Sequence, residues 1–317
     1  MHQRDEFTTQ TDPFRRELFA HCYRMMGSLH EAEDLVQETM LRAWRGFDEF
    51  EGRSSLRTWL HLIATRACLN ALESRRRRAL PVDLGAANQT TYDNLGEAVS
   101  EQVWLQPLPE IYLDPAESAI TRSRTRLAMI AALHTLSARE RAAVILREVL
   151  DLPAAEVATA LDTTAASVNS SLQRARARLA TAEPREDEIL EPDDPDRRAM
   201  LDKYVSAFHE ADMKALVSLL REDVTIEMPP VPNWFAGHDR VMEFFSSRVV
   251  IPGSWRLFPT AANGQAAAAA YLLDRDGVHS AHSIHLLTAT TTGIQRVVAF
   301  RSAGLFRYFG LPDYLGA

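Results

Sequence analysis

Apolar positions in the first eighty residues recur at intervals of three and four. In HEAEDLVQETMLRAW, Ala32, Leu35, Val36, Met40, Ala43 and Trp44 form one stripe, opposite Glu33, Asp34, Gln37, Glu38 and Arg42; this is the pattern of an amphipathic helix. GRSSLRTWLHLIATRACLNALESRRRR predicts another, capped by Ser54 or Ser55, with Leu56, Trp59, Leu60, Ile63 and Ala67 inward. PFRRELFAHCYRMMG supplies a third through Leu18, Phe19, Cys22, Tyr23 and Met26. Three short amphipathic helices predict a small bundle.

A second helical block follows. Ser137 and Glu140 have the spacing of a capping box. Pro153 opens a short helix with Val157, Ala158 and Leu161 inward; Asp162, Thr163 and Thr164 make a turn, and the next helix buries Val168, Leu172 and Ala175. Two short helices joined by such a turn predict a helix-turn-helix, whose second helix can enter a major groove. Asn169 and Gln173 could then read base edges while Arg174, Arg176 and Arg178 hold phosphates.

From residue 197 the pattern changes. Two helical stretches and a third helix within NWFAGHDRVMEFFSSRV precede SWRLFPTAAN, QAAAAAYLLDRD, GVHSAHSIHLLTATTTG and IQRVVAFRSAGLF, which read as strands, with hairpin turns at DRDG and TTTG. Helices followed by a curved antiparallel sheet predict an α+β cone.

Composition bears on what the blocks can bind. The chain has 317 residues and a net charge of −8, which spread evenly would disfavour nucleic acid. It is not spread evenly: residues 81–118 carry 7 acidic and no basic side chains, and residues 183–196 carry 8 and 1, whereas residues 119–182 carry 9 basic against 5 acidic. A phosphate backbone feels local charge, so the global sign excludes nothing. The two acidic segments read as linkers between blocks at 12–80, 119–182 and 197–317. Cys22 and Cys68 read as buried thiols, and the absence of an apolar run of about 18 residues or a signal-like N-terminus predicts a soluble, cytoplasmic protein with no membrane partner.

The wording of the first two blocks, over about residues 12–182, resembles the extracytoplasmic-function group of bacterial sigma-70 factors. EAEDLVQETMLRAWRGFDEFEGRSSLRTWLHLIATRACLNALESRRRR is similar to its region 2 and LSARERAAVILREVLDLPAAEVATALDTTAASVNSSLQRARARL to its region 4. The resemblance implies binding to core RNA polymerase, at the β′ clamp and β flap, and recognition of promoter DNA with melting of the −10 element. Carried over by position, Asp34, Leu35, Gln37 and Glu38 fall where the family meets the clamp. Arg53, Arg57, Trp59, His61, Arg66 and Asn70 fall at the −10 strand, and Asn169, Ser170, Gln173, Arg174 and Arg176 at the −35 element. Members often carry basic residues where this chain has Asn169 and Ser171, a departure that weakens phosphate contact.

The third block resembles the NTF2-like superfamily, in its SnoaL-related branch, through DKYVSAFHEADMKALVSLLREDVTIEMPP, WFAGHDRVMEFF and IQRVVAFRSAGLFRYFGLP. The expected architecture is therefore multidomain: two all-α sigma domains, then an α+β NTF2-like cone. Such cones usually enclose an apolar pocket, so a small apolar ligand joins the expected partners, as does a separate anti-sigma protein. Asp223, Glu227, His238, Asp239, His279, His282, His285 and Arg301 are the cone's candidate polar groups, and sequence brings no two together. On a strand His282 faces away from His279 and His285, which argues against a metal triad. No cofactor motif is evident, and the leading expectation is regulation in cis without catalysis. A cyclase- or isomerase-like enzyme fused to the sigma blocks, or a helix-turn-helix regulator independent of polymerase, remain the alternatives. Trp104 and Leu105, in WLQPLPE of the first linker, form a rigid apolar motif expected to dock on the cone or to thread the polymerase cleft.

Overall fold

The computed structural model describes residues 2–52, 54–73, 78–83, 85–87, 98, 100, 104–113, 126–179, 189–191, 194–246 and 251–316. The chain divides into two compact units: residues 1–78 with 111–184, and residues 79–110 with 185–317. The first linker is therefore split. Most of what reads in sequence as a spacer over 81–118 clusters with the third block.

In the first unit, α1 (His2–Thr11) precedes α2 (Arg15–Met26), α3 (Leu29–Gly46) and α4 (Leu56–Leu72). Gly27 ends α2 at φ 70°, and Ser28 caps α3 by accepting from the Glu31 N–H. Ser55 caps α4 from the Thr58 N–H at 3.0 Å. The buried stripe of α3 follows the expected spacing as far as Ala43, but Trp44 is 37% exposed and packs edge-on to Phe7. In α4 the buried face is rotated from the expected one. Leu56, Trp59 and Ile63 are only half-buried, while Leu60, His61, Ala64, Thr65, Ala67 and Cys68 face inward. Small side chains at 64, 67 and 68 let α2 approach closely, and His61 and Thr65 are then sealed in with polar partners.

The same unit continues with α5 (Leu127–Leu133) and α6 (Ala138–Val144), which Ser137 and Glu140 open with a complete capping box. A π turn over Ile145–Val149 leads to α7 (Ala154–Ala160). Asp162 takes a left-handed φ of 48° in the turn, and Thr164 Oγ1 accepts from the Ser167 N–H as α8 (Ala165–Leu179) begins. Val168, Leu172, Ala175 and Leu179 are the buried face of α8. Arg141, which sequence leaves unassigned, is buried and donates to the Leu133, Leu136 and Met25 carbonyls.

In the second unit α9 (Pro195–His209) and α10 (Met213–Ser218) precede β1 (Leu220–Met228) and β2 (Val231–Ala236), followed by α11 (His238–Phe244). The strands β3 (Trp255–Ala262), β4 (Gln265–Leu273), β5 (His279–Thr290) and β6 (Gly293–Phe300) complete a sheet of order β2-β1-β6-β5-β4-β3. The sheet is mixed rather than antiparallel, because β1 pairs with β6 in parallel. The TTTG hairpin needs its glycine: Gly293 has φ 133°, and a Cβ there would lie 2.9 Å from the Leu219 carbonyl. The alanine run of β4 is buried throughout, with Ala266, Ala268 and Ala270 against the core that Tyr204 and Phe208 of α9 share with Phe235, Leu287 and Val297. Between β4 and β5 the register steps from Ala270–Ser283 to Tyr271–Ala281, leaving His282 as the extra residue of a bulge.

Candidate functional site

On α3, Asp34, Gln37 and Glu38 are exposed, as a protein-binding face requires. Leu35 is not on that face; it is 5% exposed and belongs to the core beneath it. Glu38 pairs with Arg42 at 2.5 Å across one helical turn, a contact exposed enough for a partner to displace.

The residues expected at the −10 strand separate into three groups. Arg66 and Asn70 are exposed and line a cavity of about 470 Å³ with Arg42, Arg139 and Asp162. Arg57 is exposed but held by both carboxylate oxygens of Glu17, and Trp59 is half-buried with its ring 4.9 Å from Phe50. His61 corrects the expectation: at 1% exposure it lies inside the bundle. Its Nδ1–H donates to the Arg57 carbonyl at 2.9 Å, while Thr65 donates to the His61 carbonyl and accepts from His21 Nε2–H at 3.0 Å. Burial lowers the pKa of both imidazoles, well below the ordinary value for His21, whose shift His61 and Arg24 deepen. Arg53 and Arg75 to Arg77 lie outside the described residues. Arg78 is buried in an ion pair with Glu31 at 3.0 Å.

Asn169, Ser170 and Gln173 are exposed on α8. The arginines that follow are exposed but engaged within the unit. Arg174 lies 3.5 Å from Glu140 and donates to Ser171, Arg176 lies 2.7 Å from Glu148, and Arg178 lies 3.4 Å from Glu140. Burial alone would raise the Glu140 carboxyl, but hydrogen bonds from Ser137 and the charges of Arg178 and Arg174 hold it below the usual range. Spacing could not reveal these pairs, because Glu140 and Glu148 belong to an earlier helix and turn.

The linker motif is part of the second unit. Trp104, Leu105 and Leu108 are buried, and Leu105 N–H donates to the Ala79 carbonyl at 3.1 Å. Among the described residues, five hydrogen bonds hold the segment to the cone. Val82 N–H meets Glu227 Oε2 at 3.0 Å, Trp234 Nε1–H meets the Gly85 carbonyl at 2.9 Å, and Gly264 N–H meets Glu110 at 3.1 Å. Leu108 and Asn263 exchange two bonds of 2.8 Å. Glu227, fully buried on β1, is neutralised by Arg296 at 2.5 and 2.6 Å. Sequence singled out Glu227 but not its purpose, and nothing in the sequence marked Asn263.

Inside the cone, Tyr204 Oη lies 3.0 Å from His285 Nδ1, His285 Nε2 lies 2.9 Å from Ser283 Oγ, and Ser283 Oγ lies 3.1 Å from His282 Nδ1. The expectation that His282 faces away from His285 is therefore overturned. The bulge at 282 breaks strand alternation and lets both rings reach one hydroxyl. His279 is apart from them, bonded to the Gly253 carbonyl, and among the described residues no group of three or more His, Cys, Asp or Glu is placed to hold a metal. Asp223 pairs with Arg221, whereas His238 and Asp239 lie beside each other at the start of α11.

With this geometry established, similarity to known proteins defines the class. Models of sigma-70 region 2 and sigma-70 region 4 match residues 12–78 and 126–179. The chain is 46% identical over 99% of its length, and 86% of the relative's, to the extracytoplasmic-function RNA polymerase sigma factor SigG of Mycobacterium tuberculosis. It is 28% identical to SigJ of the same organism, over 74% of this chain and 71% of SigJ. The SigJ crystal structure shares the fold, with a TM-score of 0.60 and 21% identity, covering 96% of this chain and 99% of SigJ. The chain therefore belongs to the extracytoplasmic-function sigma factors, and its C-terminal part is an α+β domain. Among the described residues no helix is long and apolar enough to cross a membrane.

Proposed function

We propose that this chain acts in the cytoplasm as an alternative sigma factor that binds core RNA polymerase and directs initiation at a specific set of promoters. The observation that carries the reading is the presence in one chain of the region 2 bundle, with Asp34, Gln37 and Glu38 outward, and the region 4 helix-turn-helix, with Asn169, Ser170 and Gln173 outward. In this reading the acidic face of α3 meets the β′ clamp and region 4 meets the β flap. Arg66 and Asn70 handle the −10 strand, and α8 reads the −35 element, its arginines exchanging Glu140 and Glu148 for phosphates. The metal-dependent chemistry belongs to the polymerase, and the chain has no catalysis of its own.

The cone tunes this activity in cis. Supporting this is the burial of Trp104 and Leu105 in the cone's own unit, which makes the segment between regions 2 and 4 responsive to the cone. A small molecule in the cone and a separate anti-sigma protein are further inputs consistent with the family. Run-off transcription with purified core polymerase tests the reading, using the full chain, Asp34→Lys/Glu38→Lys and Trp104→Ala on a genomic promoter pool. Specific transcripts that require the protein, are lost with the charge reversals and change in yield with Trp104→Ala are expected. A folded chain that fails to bind core polymerase overturns the sigma reading, and unchanged yield with Trp104→Ala overturns control in cis.

A further inference from the structure

The Tyr204–His285–Ser283–His282 chain lies in the cone, outside the residues assigned to polymerase and promoter, and its protons are ordered. Tyr204 and His285 are buried, and His282 is half-buried with its ring 5.1 Å from Trp255, edge to face. Burial keeps both imidazoles neutral at ordinary pH, lowering His285 to about 3 and His282 to about 4. A neutral imidazole has one N–H and one bare nitrogen, so each ring must donate on one side only. If His285 carried its proton on Nδ1, the Tyr204 hydroxyl hydrogen would point into the apolar core around Leu201 and Phe208 without an acceptor.

The satisfied arrangement runs the other way. Tyr204 O–H donates to His285 Nδ1, His285 Nε2–H donates to Ser283 Oγ, and Ser283 O–H donates to His282 Nδ1. His282 is thereby left with its proton on Nε2, which has no acceptor among the described residues. Beside it stands a second donor. The β5–β6 register places Ile284 opposite Phe300, so the next residue, Arg301, comes beside the Ser283–His282 step, and its charge bears on His282. The Arg301 guanidinium makes no ion pair among the described residues.

We infer that His282 Nε2–H and the Arg301 guanidinium form a carboxylate-binding site for a small amphipathic carboxylic acid whose apolar body packs against Trp255. One neutral N–H and one guanidinium match a singly charged planar acceptor; a phosphate dianion calls for more positive charge. The inference rests on the reading of the cone as a ligand-binding domain and supplies the ligand class. It also supplies a route to the linker, because Arg301 lines a cleft of about 20 Å³ shared with Trp104, Leu105 and Gln106. A carboxylate that draws Arg301 toward His282 alters the surface on which the linker motif rests.

The test uses the full-length protein, imidazole ¹⁵N spectroscopy and calorimetric titration with octanoate and phenylacetate, each beside its uncharged amide. The expected result is the Nε2–H tautomer at His282, binding of the acids at least about tenfold tighter than the amides, and a loss of about tenfold or more in Arg301→Gln and His282→Phe. Circular dichroism and thermal melting establish that both variants remain folded. An Nδ1–H tautomer at His282 overturns the donor assignment. Equal binding of acids and amides, or full affinity in Arg301→Gln, overturns the carboxylate site while leaving the cone a ligand-binding domain. Binding of none of the four probes overturns both.

Discussion

Leu108 and Asn263 exchange two hydrogen bonds: the Leu108 N–H donates to Asn263 Oδ1 and the Asn263 N–H to the Leu108 carbonyl, each at 2.8 Å. Both residues are buried, and Asn263 holds a left-handed φ of 54° in the β3–β4 turn. The side chain that tolerates this backbone also clips the linker, since asparagine is among the few residues at ease in that region. Asn263→Ala strands a buried donor and strains the turn, and it should cost about 2–4 kcal/mol. Asn263→Gly relieves the strain but not the lost acceptor and should cost less. Chemical denaturation of the two variants checks the order, and equal losses would mean that the turn strain contributes little and the lost linker bond carries the cost.

The Glu227–Arg296 pair supports the other end of the same segment. Glu227 is fully buried and gives its second oxygen to the Val82 N–H. Arg296→Ala leaves an uncompensated buried carboxylate and should cost about 3–5 kcal/mol, with Glu227→Gln milder. Arg296→Ala should also increase protease cleavage within residues 79–110, measured by limited proteolysis and mass mapping. Unchanged protection there would separate the ion pair from linker docking.

His61 and Arg66 lie a turn and a half apart on α4 and should behave differently. Arg66→Ala removes an exposed cation and should leave melting within about 0.5 kcal/mol of the parent, while open-complex formation falls several-fold. His61→Ala removes a buried hydrogen-bonded ring and should destabilise the bundle by about 1–3 kcal/mol. Parallel measurements of thermal melting and permanganate reactivity at the −10 element distinguish them. A promoter defect in His61→Ala at full stability would return that residue to the DNA-binding set.

Acid should unfold the chain through its buried imidazoles. In the unfolded chain they protonate near pH 6.5, whereas in the fold His282 stays neutral to about 4 and His285 to about 3, with His21 and His61 also lowered. Below about pH 6.5 the unfolded state takes up protons the native state refuses. The stability these rings confer is complete above that pH and falls as pH drops through the window, by roughly 1.4 kcal/mol per unit per histidine. Urea midpoints between pH 8 and 4.5 should fall steadily below 6.5, and His285→Gln should flatten the slope for the cone. A midpoint independent of pH would mean that these rings are solvated.

Much of this protein could be read from sequence alone, wherever the deciding interactions are local. Helix stripes, the Ser137–Glu140 capping box, the Asp162 turn and the TTTG hairpin each depend on residues within a few positions of one another. The family motifs of regions 2 and 4 are likewise contiguous stretches. Tertiary structure decided what depends on partners distant in the chain. The rotation of α4 that buries His61 depends on His21, forty residues earlier. The engagement of Arg174 and Arg176 depends on Glu140 and Glu148 across the helix-turn-helix. The shared face of His282 and His285 depends on a one-residue bulge against β4, which shifts the two-residue period that any strand reading assumes. A linker that looks like a spacer by its prolines and acids became part of the cone because Glu227 and Asn263 offered acceptors to its backbone N–H groups, and buried backbone donors must find acceptors wherever the fold supplies them.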